Sequence, residues 1–211
     1  IGAHPAVYAW ELWNEVNCTG PMWLWARWTQ LMLEELKVRF PENMSVQSLG
    51  SMDKKEFRAM YAWLSTLSDN DIAQVHRYLD RGAEWDVCHG PVDVLAADAV
   101  RELQRFGQTK PIILAESGAV EPCHSGPFRF YEKDREGMLL HDVIWAPFMA
   151  GSAGTGQIWH WDRYVAPNDL WWQFARFAEA VDGLNPAIEG FEPVMLVHPR
   201  LRIYALCGKQ T

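Results

Sequence analysis

The chain has no run of lysine or arginine, no Cys-x-x-Cys and no apolar stretch of membrane-spanning length. With a net charge of −8 over 211 residues, the first absence argues against a nucleic-acid partner. The third argues against a transmembrane helix. The four cysteines, Cys18, Cys88, Cys123 and Cys207, stand at no metal-ligand spacing, and the sequence leaves open whether they are free or paired. No internal repeat or low-complexity linker is visible. Residues 1–5 contain no Met and read as the end of a preceding helix or loop, so the lack of a signal peptide says nothing about compartment.

What is present is ordinary in bulk and unusual in aromatics. Hydrophobic residues make up 49% and charged residues 22%, values typical of a globular protein long enough to bury a core. Twelve residues are Trp. Several, Trp13, Trp23, Trp25, Trp85, Trp159, Trp161, Trp171 and Trp172 among them, fall near expected strand ends or in loops. Large aromatics mostly fill cores and helix–sheet interfaces. In a loop, a rigid indole also matches the flat C–H face of a sugar and adds one N–H donor.

Strand and helix patterns alternate. Strands are expected over residues 7–13, 44–49, 72–76, 111–115 and 155–161. Helices are expected over 23–40, from a capping-box variant at Asp53-Lys54-Lys55-Glu56 through Leu64, and over 94–106, 137–148 and 170–181. Pro147 should end the fourth helix, and Asn168 or Asp169 should cap the last. Strict alternation means a parallel sheet with helical crossovers. Five units in 211 residues are about five-eighths of a (β/α)8 barrel, strands four to eight. A doubly wound open sheet would call for a glycine-rich phosphate loop after its first strand, where Asn14-Glu15-Val16-Asn17-Cys18 stands instead. The barrel portion is expected over 1–186. Residues 187–211 read as a β segment, either a strand closing the barrel's exterior or the start of a β-rich module.

Two glutamates stand out. Glu15 follows Trp13-Asn14, and Glu116 sits in Leu114-Ala115-Glu116-Ser117-Gly118; each ends an apolar run and opens a loop. Barrels place catalytic groups at such strand ends. Two carboxylates so presented can cleave a glycosidic bond with retention. One must be protonated at rest, with a raised pKa, and the other ionised. Glu11 shares strand parity with Glu15 and is expected inside the barrel, in a core salt bridge.

His4-Pro5-Ala6-Val7 followed by Trp10-Glu11-Leu12-Trp13-Asn14-Glu15 resembles strand four of the retaining (β/α)8-barrel glycoside hydrolases, the clan of endoglucanases and β-mannanases. Leu114-Ala115-Glu116-Ser117-Gly118 resembles strand seven, His76-Arg77-Tyr78 the His-x-Tyr of strand six, and Gly156-Gln157-Ile158-Trp159-His160-Trp161 strand eight. The resemblance implies Glu15 as acid/base, with a raised pKa at rest, and Glu116 as the nucleophile that stays ionised. It implies Asn14, His76, Tyr78, Trp159 and Trp161 as substrate-binding or positioning residues, with Asn14 on the sugar 2-hydroxyl and Tyr78 on Glu116. Trp23, Trp85 and Phe128 are further candidate subsite walls. A poly- or oligosaccharide of mannan or β-glucan type is the expected substrate, with no cofactor and no catalytic metal. A monomeric full-length protein, secreted or periplasmic, is the matching expectation.

Two rival readings stand beside it: a barrel that binds sugar without cleaving it, and a metal-dependent barrel hydrolase. The latter calls for clustered His or Asp at strand ends. His160 and Asp162 lie two apart without an evident third ligand. A five-unit piece would expose raw sheet edges, so the 211 residues alone are expected to be insoluble or inactive.

Overall fold

The computed structural model describes residues 4, 6–107 and 109–209. Residues 1–3 and Pro5, expected to close a preceding element, and residues 210–211 of the last segment lie outside that set. The chain is a mixed α/β structure in which strands and helices alternate over residues 9–149. In order they are β1 (Ala9–Glu11), α1 (Met22–Arg39), β2 (Met44–Val46), α2 (Lys55–Thr66), β3 (Ala73–Leu79), α3 (Val92–Gln104), β4 (Ile112–Ala119), α4 (Met138–Met149), α5 (Trp172–Val181), α6 (Pro186–Glu189), β5 (Glu192–Val197) and β6 (Arg202–Cys207).

Neighbouring strands in sequence lie side by side. β1 pairs with β2 and β3 with β4, both in parallel, as helical crossovers require. Between β2 and β3 single hydrogen bonds replace a ladder: Asp71 N donates to Ser45 O at 2.9 Å and Met52 N to His76 O at 2.8 Å. Beyond β4, Gln157 N donates to Leu114 O at 2.9 Å and Trp159 N to Ser117 O at 2.9 Å. Among the described residues the strands form small two-stranded sheets and no closed barrel.

The apolar start of β4, Ile112–Leu114, and the buried Ala73 and Val75 of β3 pack with α3, whose Ala96, Ala97 and Ala99 are fully buried. Their small side chains let the helix approach the strands closely. A second cluster joins Leu140, Val143 and Ile144 of α4 to Tyr164, Leu170 and Phe177.

Several expectations are corrected. The segment 155–161 touches β4 through a single parallel bridge, Ser117 to Ile158, and turns into a π-helical turn, Trp161–Val165, in place of a strand. Gly156 is why it fits there: a Cβ at this position would stand 2.3 Å from Val143 O. Pro147 does not end α4, which runs two residues further to Met149 although a proline supplies no N–H to the carbonyl four residues back. Asp53 does not cap α2; Lys54 holds that position with no side-chain cap bond. Neither Asn168 nor Asp169 caps α5, whose N-cap is Trp171; Asn168 Nδ2 instead donates to Tyr131 O and Tyr164 O. Glu11 is exposed and its partner is Gln74, whose Nε2 donates at 3.1 Å, so no core salt bridge forms.

The last segment is an antiparallel hairpin of β5 and β6. Arg202 and Tyr204 of β6 reach Asp93 of α3, with Arg202 Nε 2.6 Å from Asp93 Oδ2. These bonds tie the hairpin to the helical layer.

Candidate active site

β3 and β4 run further than their apolar residues suggest, and their extensions carry several of the candidate site residues. Residues 116–119 belong to β4, and residues 77–79 to β3. The register shifts between Val75 and His76: Val75 faces Leu114, while His76 faces Glu116. Ala115 is therefore the extra residue of a β-bulge. Without it Glu116 would stand opposite Arg77. The bulge places Glu116 beside His76, on the face that also carries Tyr78, which is how bulges re-aim a side chain.

Glu15 arrives differently. β1 ends at Glu11, and Glu15 lies in the following loop as N-cap of a 3-10 turn, Val16–Thr19. Its backbone is left-handed, φ 51° and ψ 53°, a conformation costing about 1–3 kcal/mol for a residue with a side chain. Ser48 Oγ accepts from Glu15 N at 2.9 Å and helps hold it. This backbone turn directs the carboxylate toward β3, where His76 holds it.

The two elements meet at His76, which is buried. Its Nδ1 is 2.8 Å from Glu15 Oε1 and 3.8 Å from Glu116 Oε1. One oxygen from each glutamate and the histidine nitrogen all lie within 4.8 Å of one another. The Tyr78 hydroxyl donates to Glu116 Oε1. Burial and the neighbouring carboxylate push the Tyr78 phenol up, so it stays a donor.

The electrostatics run opposite to the expected order. The His76 hydrogen bond, followed by its charge, holds Glu15 below the usual carboxylate range against the effect of burial. Burial pushes Glu116 up, opposed by His76 and Tyr78 and aided by the charge on Glu15. The proton of the pair therefore favours Glu116.

A cavity of about 500 Å³ opens over the pair, within the size range of small-molecule sites. Asn14, Glu15, Tyr78, Glu116 and Trp159 line it, so five of the seven expected site residues share one space. Trp159 is 54% exposed. His76 does not line the cavity and stands behind Glu15, which it contacts at 2.8 Å. Trp161 does not share the cavity; the π turn carries it to the surface. Trp85 stacks with Arg77 at 5.2 Å against the core, and Trp23 is exposed on α1, so neither is a wall of this cavity. Phe128 lines a separate cavity of about 420 Å³ with Arg81, Arg129 and Phe130. His160 does reach the main cavity, where Tyr131 hydroxyl lies 3.2 Å from its Nδ1 and burial lowers its pKa.

The same cavity holds residues that the motifs do not single out: Ser51, Asp53 and Lys54 after β2, and His124 after β4. Asp53 is expected at a helix cap, and His124 has no role assigned by pattern. Only the fold joins them, because they come from different loops.

No protein-family model matches the chain, and no curated protein matches it. Among solved structures, the hyperthermostable endo-1,4-β-D-mannanase from Thermotoga petrophila RKU-1, determined with maltose and glycerol, is similar, with a TM-score of 0.47 and 19% sequence identity. The match covers 73% of this chain and 45% of that one, so the chain spans less than half the length of the mannanase.

Proposed function

We propose that the chain carries the catalytic pair of a retaining β-glycoside hydrolase of (β/α)8-barrel type, acting on a β-linked glycan of mannan or β-glucan type. The carrying observation is the closeness of Glu15 and Glu116, with carboxylate oxygens within 4.8 Å. Retaining pairs stand about 5–5.5 Å apart, whereas inverting pairs need about 6.5–9.5 Å to admit a water. The exposed Trp159 beside the pair supports a sugar platform, and Asn14 beside Glu15 supports a donor to the sugar.

In the first step a Glu116 oxygen attacks the anomeric carbon. The glycosidic C–O bond breaks and Glu15 gives its proton to the departing oxygen. In the second step Glu15 takes a proton from water, the water oxygen bonds to the anomeric carbon, and the ester to Glu116 breaks. Tyr78 holds Glu116 by its hydroxyl, which supports Glu116 as nucleophile.

A second reading exchanges the two roles. It is favoured by the pKa directions, which place the resting proton on Glu116. Azide rescue separates them. With an aryl β-glycoside on the full protein, Glu116→Gln abolishes turnover. Glu15→Ala lowers it by about 10²–10⁴-fold, the usual worth of an acid/base group. Azide then restores Glu15→Ala and yields a glycosyl azide of retained configuration. An inverted azide from Glu15→Ala makes Glu15 the nucleophile. Unchanged turnover in Glu116→Gln removes both readings.

A further inference from the structure

Next to the glutamate pair, Asp53, Asp80 and His124 bring three donor atoms within 4.8 Å of one another. They come from the loops after β2, β3 and β4. Asp80 is fixed: Oδ1 accepts from Gly82 N at 2.6 Å and Cys123 N at 2.9 Å, and Oδ2 accepts from His124 N at 3.2 Å. His124 is held over the two carboxylates by consecutive left-handed residues, Cys123 at φ 59° and His124 at φ 53°. Its Nε2 lies 3.6 Å from Asp80 Oδ2 and 3.8 Å from Asp53 Oδ2.

Asp53 is the independent observation. It is 7% exposed, and its Oδ1 has no partner among the described residues. It faces the cavity that His124 also lines. A carboxylate oxygen so buried without a donor is costly unless a cation or proton compensates it. Its expected structural task, capping α2, goes unfilled by any side chain.

We propose that Asp53, Asp80 and His124 form a site for one first-row divalent cation, with Zn²⁺ the best match to two carboxylates and an imidazole. Such a cation sits about 2.0–2.2 Å from oxygen and nitrogen donors set as a tetrahedron, so its donors stand about 3.3–3.6 Å apart, and three protein ligands leave a position open. The two separations to His124, 3.6 and 3.8 Å, stand at and just beyond that spacing and close by a few tenths of an ångström around an ion. Softer or larger ions fit less well, because imidazole disfavours Ca²⁺ and no thiolate joins the set. The cation cross-links three loops above the strands. It also fixes His124, whose ring stands edge-on to Tyr78 at 5.0 Å, and so steadies the phenol that holds Glu116. The site is separate from the catalytic reading and stands whether or not the glutamate pair is a glycosidase.

Calorimetric titration of the chelator-stripped protein with Zn²⁺ tests it directly. One equivalent binds, and the melting temperature rises with the Zn²⁺ concentration as a ligand of the folded state requires. Asp53→Asn and His124→Gln each weaken binding at least tenfold, while Glu116→Gln leaves it unchanged. His124 is partly exposed, so its substitution spares the fold if Asp53→Asn does not. Absence of saturable binding to the parent overturns the proposal. Binding lost in Glu116→Gln but kept in Asp53→Asn overturns it too, since the ion then sits on Glu15, His76 and Glu116.

Discussion

His76 Nδ1 lies 2.8 Å from Glu15 Oε1, joining a buried strand residue to a strained loop residue 61 positions away. That hydrogen bond is the first cause of the low Glu15 pKa. His76→Ala therefore raises the Glu15 carboxyl, a shift that carbon NMR of labelled glutamate reads directly. Losing a hydrogen bond to a charged group costs about 1.5–3 kcal/mol, so kcat/KM falls by about 10–100-fold. If Glu15 is the acid, the basic limb of the pH profile moves to higher pH; if Glu15 acts ionised, the acidic limb moves up instead. A Glu15 titration that does not move contradicts the assigned cause.

Glu116 gives a stability prediction of opposite sign. Its pKa is raised in the folded chain, with burial the largest cause. A group of this kind favours folding below its unfolded value, and that contribution is lost as pH rises through the folded value. Glu116→Gln keeps the shape and the acceptor for Tyr78 without the charge. Its melting temperature should exceed the parent's at pH 7, and the gap should close below about pH 4 where carboxylates protonate. Equal melting temperatures at both pH values would show that Glu116 ionises without penalty.

Trp159 is more than half exposed, so its worth should appear in binding alone. Trp159→Ala raises KM for a β-glycan by about tenfold, because the indole face buries apolar sugar surface worth about 1.5 kcal/mol. Stability changes by no more than about 0.5 kcal/mol, as for other surface positions. Trp161→Ala, outside the cavity, leaves KM unchanged. A KM effect at Trp161 and none at Trp159 would reverse the placement.

The alternation of strands and helices is legible because period-2 and period-3.6 apolar patterns dominate this chain. Glu15 and Glu116 are legible because each ends an apolar run, and His76 and Tyr78 because His76-Arg77-Tyr78 resembles a known strand motif; the structure brings the four together. The bulge at Ala115 is not, since an alanine in a strand carries no mark of being unpaired. Nor is the left-handed Glu15, which has no glycine to advertise it. The pattern at Asp53-Lys54-Lys55-Glu56 points to a helix cap, but the fold turns Asp53 into the cavity instead. His124 reaches Asp53 and Asp80 only through the fold of three loops, a juxtaposition that no local spacing contains. The β segment expected at 155–161 shrinks to one bridge at Ile158, and Trp161 opens a π turn in its place.

Arg77 stands between His76 and Tyr78, and its side chain points away from the cavity into the protein. It is fully buried. Its Nη1 donates to Asp98 Oδ2 at 2.7 Å, its Nε donates to Met52 O at 3.0 Å, and its guanidinium lies 5.2 Å from the Trp85 ring. Nη2 has no partner among the described residues. Asp98→Ala therefore leaves a buried cation without its counter-ion, a loss of about 3–5 kcal/mol. For a chain of this size each kcal/mol moves the melting temperature by about 2–4 °C, so the variant should melt at least about 6 °C lower. The double variant Arg77→Met with Asp98→Leu removes both charges and should recover most of that loss, because it strands neither group. Recovery is measured by thermal denaturation of the parent, the single variant and the double variant in one buffer. If the double variant melts as low as Asp98→Ala, the pair contributes through its own attraction or through the Met52 bond, and the stranded charge is not the cause.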